Sequence, residues 1–247
     1  MKARIFLTGL LLSCFITYGQ DKILIAAASD LKFALDSVIS AFRKANSGVV
    51  EVTYSSSGKL TEQIIQGAPF DVFFSADFSY PEQLEKEKKT ASKIYSYAKG
   101  RIVIWSKKID PQVTKMNSLT SPSITKIAIA NPEHAPYGKR AMESLAYYKL
   151  LDNIKPKLVY GENISQAAQF ITSGAADIGV IALSLALSPN MKQGKYYLIP
   201  EESYSPLIQG AVITLHGKGN KLAESFFTFL QNKQAVDILK VNGLVKP

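Results

Sequence analysis

The chain holds one cysteine, Cys14, and two histidines, His134 and His216, among its 247 residues. Cys14 falls in a leader that reads as removable, so the cleaved chain has no disulfide, thiol nucleophile or thiolate metal site. The histidines have no carboxylate at metal-ligand spacing, and His134 reads as a residue that shapes its loop. Beyond the leader, no apolar run approaches the roughly 20 residues that span a bilayer. Low-complexity tracts and sustained repeats are also absent, and 47% hydrophobic with 20% charged residues is an ordinary globular balance that excludes disorder. Acidic residues are the scarcer sign, 20 against 29 Lys and Arg, for a formal charge of +9. The basic residues are scattered, as at Lys86 to Lys89, and lack interleaved stacking aromatics. Nucleic acid is therefore not an expected partner, and the surplus reads as solubility plus a weak field that draws anions.

Residues 1–19 read as an export signal, with Lys2 and Arg4 ahead of the apolar stretch Ile5 to Ile16 and Thr17-Tyr18-Gly19 at the cleavage site. The mature chain then begins near Gln20 with 27 basic against 20 acidic residues, so its charge is 27 − 20 = +7. Leu11-Leu12-Ser13-Cys14 is the alternative, a lipoprotein box that would anchor the chain by lipid through Cys14.

At 247 residues the chain exceeds one usual domain of about 100 to 200 residues, and two small interdependent lobes are expected. Apolar runs at 23–28, 49–54 and 72–74 read as strands, and Leu31, Leu35, Val38, Ile39 and Phe42, then Leu60, Ile64 and Ile65, mark the inner faces of helices. A second series starts near Gly100, with strands at 102–105, 127–130, 157–160 and 178–181 and helices from about 139 and over 165–172. Strand 207–214 and helices at 222–230 and 234–241 close the chain. This α/β alternation predicts parallel sheets covered on both faces. The expected division is 20–99 plus 203–247 for lobe 1 and 100–202 for lobe 2, with hinge closure around a ligand.

In open α/β sheets ligands sit at the carboxyl ends of strands, where first-turn amides lack an acceptor. Ser29, Ser57, Tyr137 and Ile164 fall at such junctions. Ser29 and Ser57 each bring a hydroxyl and an amide to a helix start, which seats an anion; as an alternative both are ordinary helix caps. Asp30 reads as a helix-start carboxylate favoured by the dipole, or else as a group facing the crevice, where it would accept from a protonated oxyanion and repel a bare dianion. Glu162 reads as a solvated turn residue and Asp77 as a helix cap. Lys59 follows Ser-Ser-Gly but lacks the spacing of a nucleotide loop. A hydrolase using Ser29 or Ser57 lacks both a G-x-S-x-G elbow and a histidine partner.

Ala26-Ala27-Ala28-Ser29-Asp30-Leu31, Ser56-Ser57-Gly58-Lys59-Leu60, Gly67-Ala68-Pro69-Phe70-Asp71-Val72, Asn131-Pro132-Glu133-His134-Ala135-Pro136-Tyr137-Gly138, Gly161-Glu162-Asn163-Ile164-Ser165-Gln166-Ala167 and Gly174-Ala175-Ala176-Asp177-Ile178-Gly179-Val180 resemble, in order, the signature segments of the periplasmic molybdate-binding proteins of ABC importers. The resemblance implies a two-lobed type II periplasmic-binding-protein fold. It also implies a periplasmic monomer that performs no chemistry, needs no cofactor, and delivers molybdate or tungstate to a membrane permease. The family's ligand contacts, made to the oxygens and not to the metal atom, fall on Ser29, Ser57, Tyr137 and Ile164. A further donor, in many members a tyrosine after the strand at 179–181, falls on Ala182, which has none to give; the resemblance points to the Tyr137 hydroxyl as its replacement. About six neutral donors at roughly 1.5 to 3 kcal/mol each suffice for micromolar to nanomolar capture. Sulfate and phosphate are the alternative ligands.

Overall fold

In the computed structural model, residues 21–247 are described, so the export signal and Cys14 lie outside the described residues. Two five-stranded sheets carry the chain. The strands are β1 (Lys22–Ala28), β2 (Val49–Ser55), β3 (Val72–Ser75), β4 (Tyr95–Gly100), β5 (Ile102–Ser106), β6 (Ile127–Ala130), β7 (Leu158–Gly161), β8 (Ile178–Ala182), β9 (Lys195–Leu198) and β10 (Leu207–Ile213). The helices are α1 (Lys32–Arg43), α2 (Ser57–Ile65), α3 (Ser79–Lys86), α4 (Pro111–Thr114), α5 (Pro136–Tyr147), α6 (Leu151–Ile154), α7 (Ile164–Thr172), α8 (Leu183–Ala186), α9 (Lys221–Phe229) and α10 (Lys233–Val241). The first sheet runs β2-β1-β3-β10-β4 and the second β7-β6-β8-β5-β9.

The expectation of parallel sheets holds only in part. β1 is parallel to β2 and β3, and β6 to β7 and β8, but β10 runs antiparallel to β3 and β4, and β5 antiparallel to β8 and β9. The cause lies in the connections. A helical crossover returns a strand parallel to its predecessor, whereas β4 passes into β5 through Arg101 alone and β9 reaches β10 through residues 199–206. These are the two places where the chain changes sheet.

Helix positions follow the apolar spacing. Leu35, Val38 and Phe42 of α1 face one side of the first sheet with Leu222 and Phe226 of α9 and Leu239 of α10, while Leu60 and Ile64 of α2 and Leu84 of α3 cover the other. Phe42 meets Phe226 edge to face at 5.0 Å between centroids, a favoured aromatic geometry. Each such buried side chain contributes about 1.5 to 3 kcal/mol. The second sheet buries Ile102 to Trp105, Ile127 to Ala130 and Ile178 to Ala182 against Leu145 of α5 and Ile171 of α7. Asparagines cap three helices: Asn163 accepts from Gln166 N on α7, Asn220 from Leu222 N on α9 and Asn232 from Ala235 N on α10. β4 and β9 escaped the sequence reading because Tyr95 to Gly100 and Lys195 to Leu198 are polar-rich edge strands with partial exposure.

Candidate functional site

Four chain segments reach the line where the sheets meet. β1 ends in a single 3-10 turn, Ser29–Leu31; β2 leads through Ser56 into α2; β6 leads through a loop to Pro136 and Tyr137 at the start of α5; β7 leads through Asn163 to Ile164, first residue of α7. Ser29, Ser57, Tyr137 and Ile164 thus stand on both sides of one small cavity, whose other linings include Asp30, Ser56, Ala76 and Pro136. First-turn amides have no intrahelical acceptor and carry the positive end of the helix dipole. Among the described residues that line it, none is lysine, arginine or histidine.

Individual donors are held in different ways. Ser57 Oγ accepts from Ala76 N at 3.0 Å, which fixes the oxygen and leaves its proton to be donated. Ser29 Oγ instead donates to Asn163 Oδ1 at 3.0 Å and accepts from Ser165 N at 3.3 Å, while Ser165 Oγ donates to Ser29 O at 2.8 Å. Its hydroxyl therefore bridges the sheets. Ser56, which the sequence reading passed over, has a buried hydroxyl without a protein partner at the cavity wall; it precedes α2 yet makes no cap bond. A run of three serines gives no periodic signal by which to single it out.

The Tyr137 hydroxyl does not have the role expected of it. It donates to Asp30 Oδ2 at 2.9 Å and accepts from Gln209 Nε2 at 3.0 Å, and Gln209 Nε2 also lies 2.9 Å from Asp30 Oδ2. The ring oxygen is committed to this network, and only the Tyr137 amide remains for a ligand. A side chain on Gly100 would put its Cβ 2.3 Å from the hydroxyl oxygen, so glycine is required where the tyrosine crosses β4.

Asp30 likewise departs from the helix-start role. Its side chain is 1% exposed, Oδ1 has no partner, and its main-chain carbonyl accepts from Ser184 Oγ of α8 at 2.8 Å. Loss of hydration pushes its pKa up to about 6, against the opposing pull of the Gln209 and Tyr137 hydrogen bonds. Burial, with Asp30 as the next cause, raises the Tyr137 pKa well above the ordinary phenol value.

Direct bonds across the cavity's rim hold the two sides together. Gly58 N donates to His134 O at 2.9 Å, and a Cβ at Gly58 would come within 2.9 Å of that oxygen. Glu162 is not a free turn residue: Lys59 ion-pairs with it from the other side, His134 Nε2 lies 3.1 Å from its Oε1, and the Lys59 bond is the chief cause of its lowered pKa. Arg140 Nη2 reaches Asp77 Oδ2 at 2.7 Å, and Asp77 Oδ1 also accepts from Ser79 N at 3.0 Å as α3 begins. His216 pairs with the buried Asp71 at 3.2 Å, far along the chain from these segments.

Two sheets meeting over a small cavity of helix starts define a binding protein with a ligand site between two halves. Residues 23–245 match the bacterial extracellular solute-binding protein family, and the chain belongs to it. The molybdate-binding protein of Azotobacter vinelandii is 35% identical over 94% of this chain and 92% of its own length, and that of Rhodobacter capsulatus is 30% identical over 96% and 93%. A solved periplasmic molybdate-binding protein from Azotobacter vinelandii superposes with a TM-score of 0.85 at 33% identity, covering 91% of this chain and 99% of that one. The fold is therefore the α/β type II periplasmic-binding-protein fold expected from the signature segments. Family membership makes the chain a binding protein and not an enzyme, so the serine-hydrolase reading is dropped.

Proposed function

We propose that the chain is an extracytoplasmic molybdate-binding protein that captures the oxyanion, and tungstate with it, and hands it to the membrane permease of an ABC importer. The observation that carries this reading is the convergence of Ser29, Ser57, Tyr137 and Ile164 from both sheets on one cavity whose described lining holds no cationic side chain. Aligned hydroxyls and first-turn amides replace the hydration of a dianion without a fixed counter-charge, and neutral donors permit release when the halves part. We assign the ligand contacts to the hydroxyl and amide of Ser57 and to the amides of Ser29, Tyr137 and Ile164, all to oxygens of the anion, since the Ser29 hydroxyl already donates to Asn163. The named relatives support the choice of ligand.

The lobes on this reading are 20–99 plus 203–247 and 100–202, supported by the sheet to which each strand belongs and by the two sheet changes at Arg101 and residues 199–206. The protein acts as a monomer in the periplasm after removal of residues 1–19. A relative described as a putative ABC transporter substrate-binding lipoprotein of Bacillus subtilis, 30% identical over 89% of this chain, keeps anchoring through Cys14 as the alternative.

The test is calorimetry and thermal shift with molybdate, tungstate, sulfate and phosphate. The metal oxyanions should bind one per chain and stabilise by about 2.7 kcal/mol at 100 times Kd, with far smaller shifts from sulfate and phosphate. Ser57→Ala should weaken molybdate binding about 10- to 100-fold, the worth of one charged hydrogen bond. Flat melting curves with both metal oxyanions at millimolar concentration sink the reading.

A further inference from the structure

Asp30 lines the cavity and is 1% exposed. Its two oxygens differ. Oδ2 accepts from both Tyr137 Oη and Gln209 Nε2, each at 2.9 Å, whereas Oδ1 is buried with no partner. The groups packed on Asp30 are Tyr137 from α5, Gln209 from β10, Ser184 from α8 and, at longer range, Tyr97 from β4. Among the described residues no lysine, arginine or histidine bonds or ion-pairs with it.

An ionised carboxylate and a tetrahedral dianion are both acceptor-only. Placed at the wall of one small cavity, two such groups repel at short range. A proton between them converts this repulsion into a hydrogen bond. The carboxyl already has two donors on Oδ2, which suits that oxygen to be the carbonyl of the neutral acid and leaves Oδ1 to carry the hydrogen. We propose that Asp30 is itself an oxyanion ligand, taking up one proton as the anion enters and donating it from Oδ1, the side-chain donor that Ala182 cannot supply. This rests on the oxyanion-binding function proposed above. Capture then carries one proton in per anion, drawn from solvent, and release returns it; no bond other than this O–H forms or breaks. The raised pKa, about 6 before any anion enters, places the group so that a neighbouring dianion completes its protonation at neutral pH.

The same geometry gives a reason for the Tyr137 and Gln209 bonds. Both donate to one oxygen and so orient the carboxyl, which makes Tyr137 and Gln209 positioning residues for Asp30.

Molybdate titrations of the wild-type chain at pH 7.5, in Tris and in PIPES, whose ionisation enthalpies differ, read the number of protons exchanged. Uptake approaching one per molybdate is expected, with affinity falling about tenfold per pH unit from pH 6.5 to 8.5. Asp30→Asn keeps a donor at the same place and should bind with a pH-independent affinity and no uptake. An infrared difference spectrum of the wild-type chain should show a new buried-carboxyl C=O band on adding molybdate, which assigns the proton to a carboxyl even if the variant does not fold. Tight binding without proton exchange or without that band overturns the proposal while leaving the function intact, and so does undiminished uptake in folded Asp30→Asn. Absence of any molybdate binding removes the function and this proposal with it.

Discussion

The Tyr137 hydroxyl donates to Asp30 Oδ2 at 2.9 Å across 107 positions of sequence, joining α5 beside the second sheet to the turn that follows β1 of the first. Gln209 on β10, the strand that returns the chain to the first sheet, bonds both. Three elements from both sides of the cleft thus meet at one buried carboxyl, and the closed arrangement depends on their geometry.

Tyr137→Phe keeps the ring in its slot beside Gly100 and removes only this donor. The buried Oδ2 then retains Gln209 alone, and an under-satisfied buried acceptor costs about 1 to 3 kcal/mol. The expected result is a loss of that size in ligand-free stability by chemical denaturation. An unchanged midpoint would show that the bond contributes nothing to the fold.

Asp30 also gives the ligand-free protein a pH dependence with a definite sign. Its folded pKa of about 6 lies above the ordinary value of 3.8. A raised carboxyl means that the folded state holds the proton more tightly, so stability is greatest below about pH 4 and is lost as pH rises through about 6. A shift of roughly two units corresponds to about 3 kcal/mol. Asp30→Asn should remove this decline, and the difference between variant and wild type, measured by urea denaturation at pH 5 and pH 7.5, should grow with pH. A difference that stays constant across that window contradicts the assignment.

Much of the architecture was legible because it follows from short-range chemistry. The burial of Leu35, Val38 and Phe42 on α1 is written in their spacing, and the helix starts at Ser57 and Ile164 follow from apolar runs that end in polar turns. The sheets' antiparallel strands were not legible, since nothing within β10 records that it pairs with β3 after an excursion of more than 100 residues. The candidate site divides in the same way. Junction residues can be read one segment at a time, whereas the fate of the Tyr137 hydroxyl depends on Asp30 and Gln209, and the role of Glu162 depends on Lys59. Contacts between distant segments have no periodicity to betray them. Asp30 illustrates the limit: its sequence position allows either a helix-start carboxylate or a group facing the crevice, and only the packed structure, which places it at the cavity wall, chooses between them.

Closure itself can be tested at Gly58. Its amide donates to His134 O at 2.9 Å, so the first turn of α2 and the loop before α5 touch main chain to main chain. A methyl group at this position would meet His134 Cβ and O at 2.9 Å each, closer than such atoms approach, and the oxygen belongs to backbone that a rotamer change cannot move. Within each half the residue is unstrained, because Gly58 lies inside α2 and alanine is a better helix former there than glycine. Gly58→Ala should therefore leave the separate halves folded, or slightly more stable, while forcing them apart at the rim. Overpacking of this kind costs about 1 to 3 kcal/mol, and since only the closed form bears the cost, the expected loss in molybdate affinity is about 5- to 100-fold. Small-angle scattering with saturating molybdate should give a larger radius of gyration than the wild-type complex. Wild-type affinity together with a wild-type radius would mean that the rim yields without cost and that the Gly58 to His134 contact does not set the closed position.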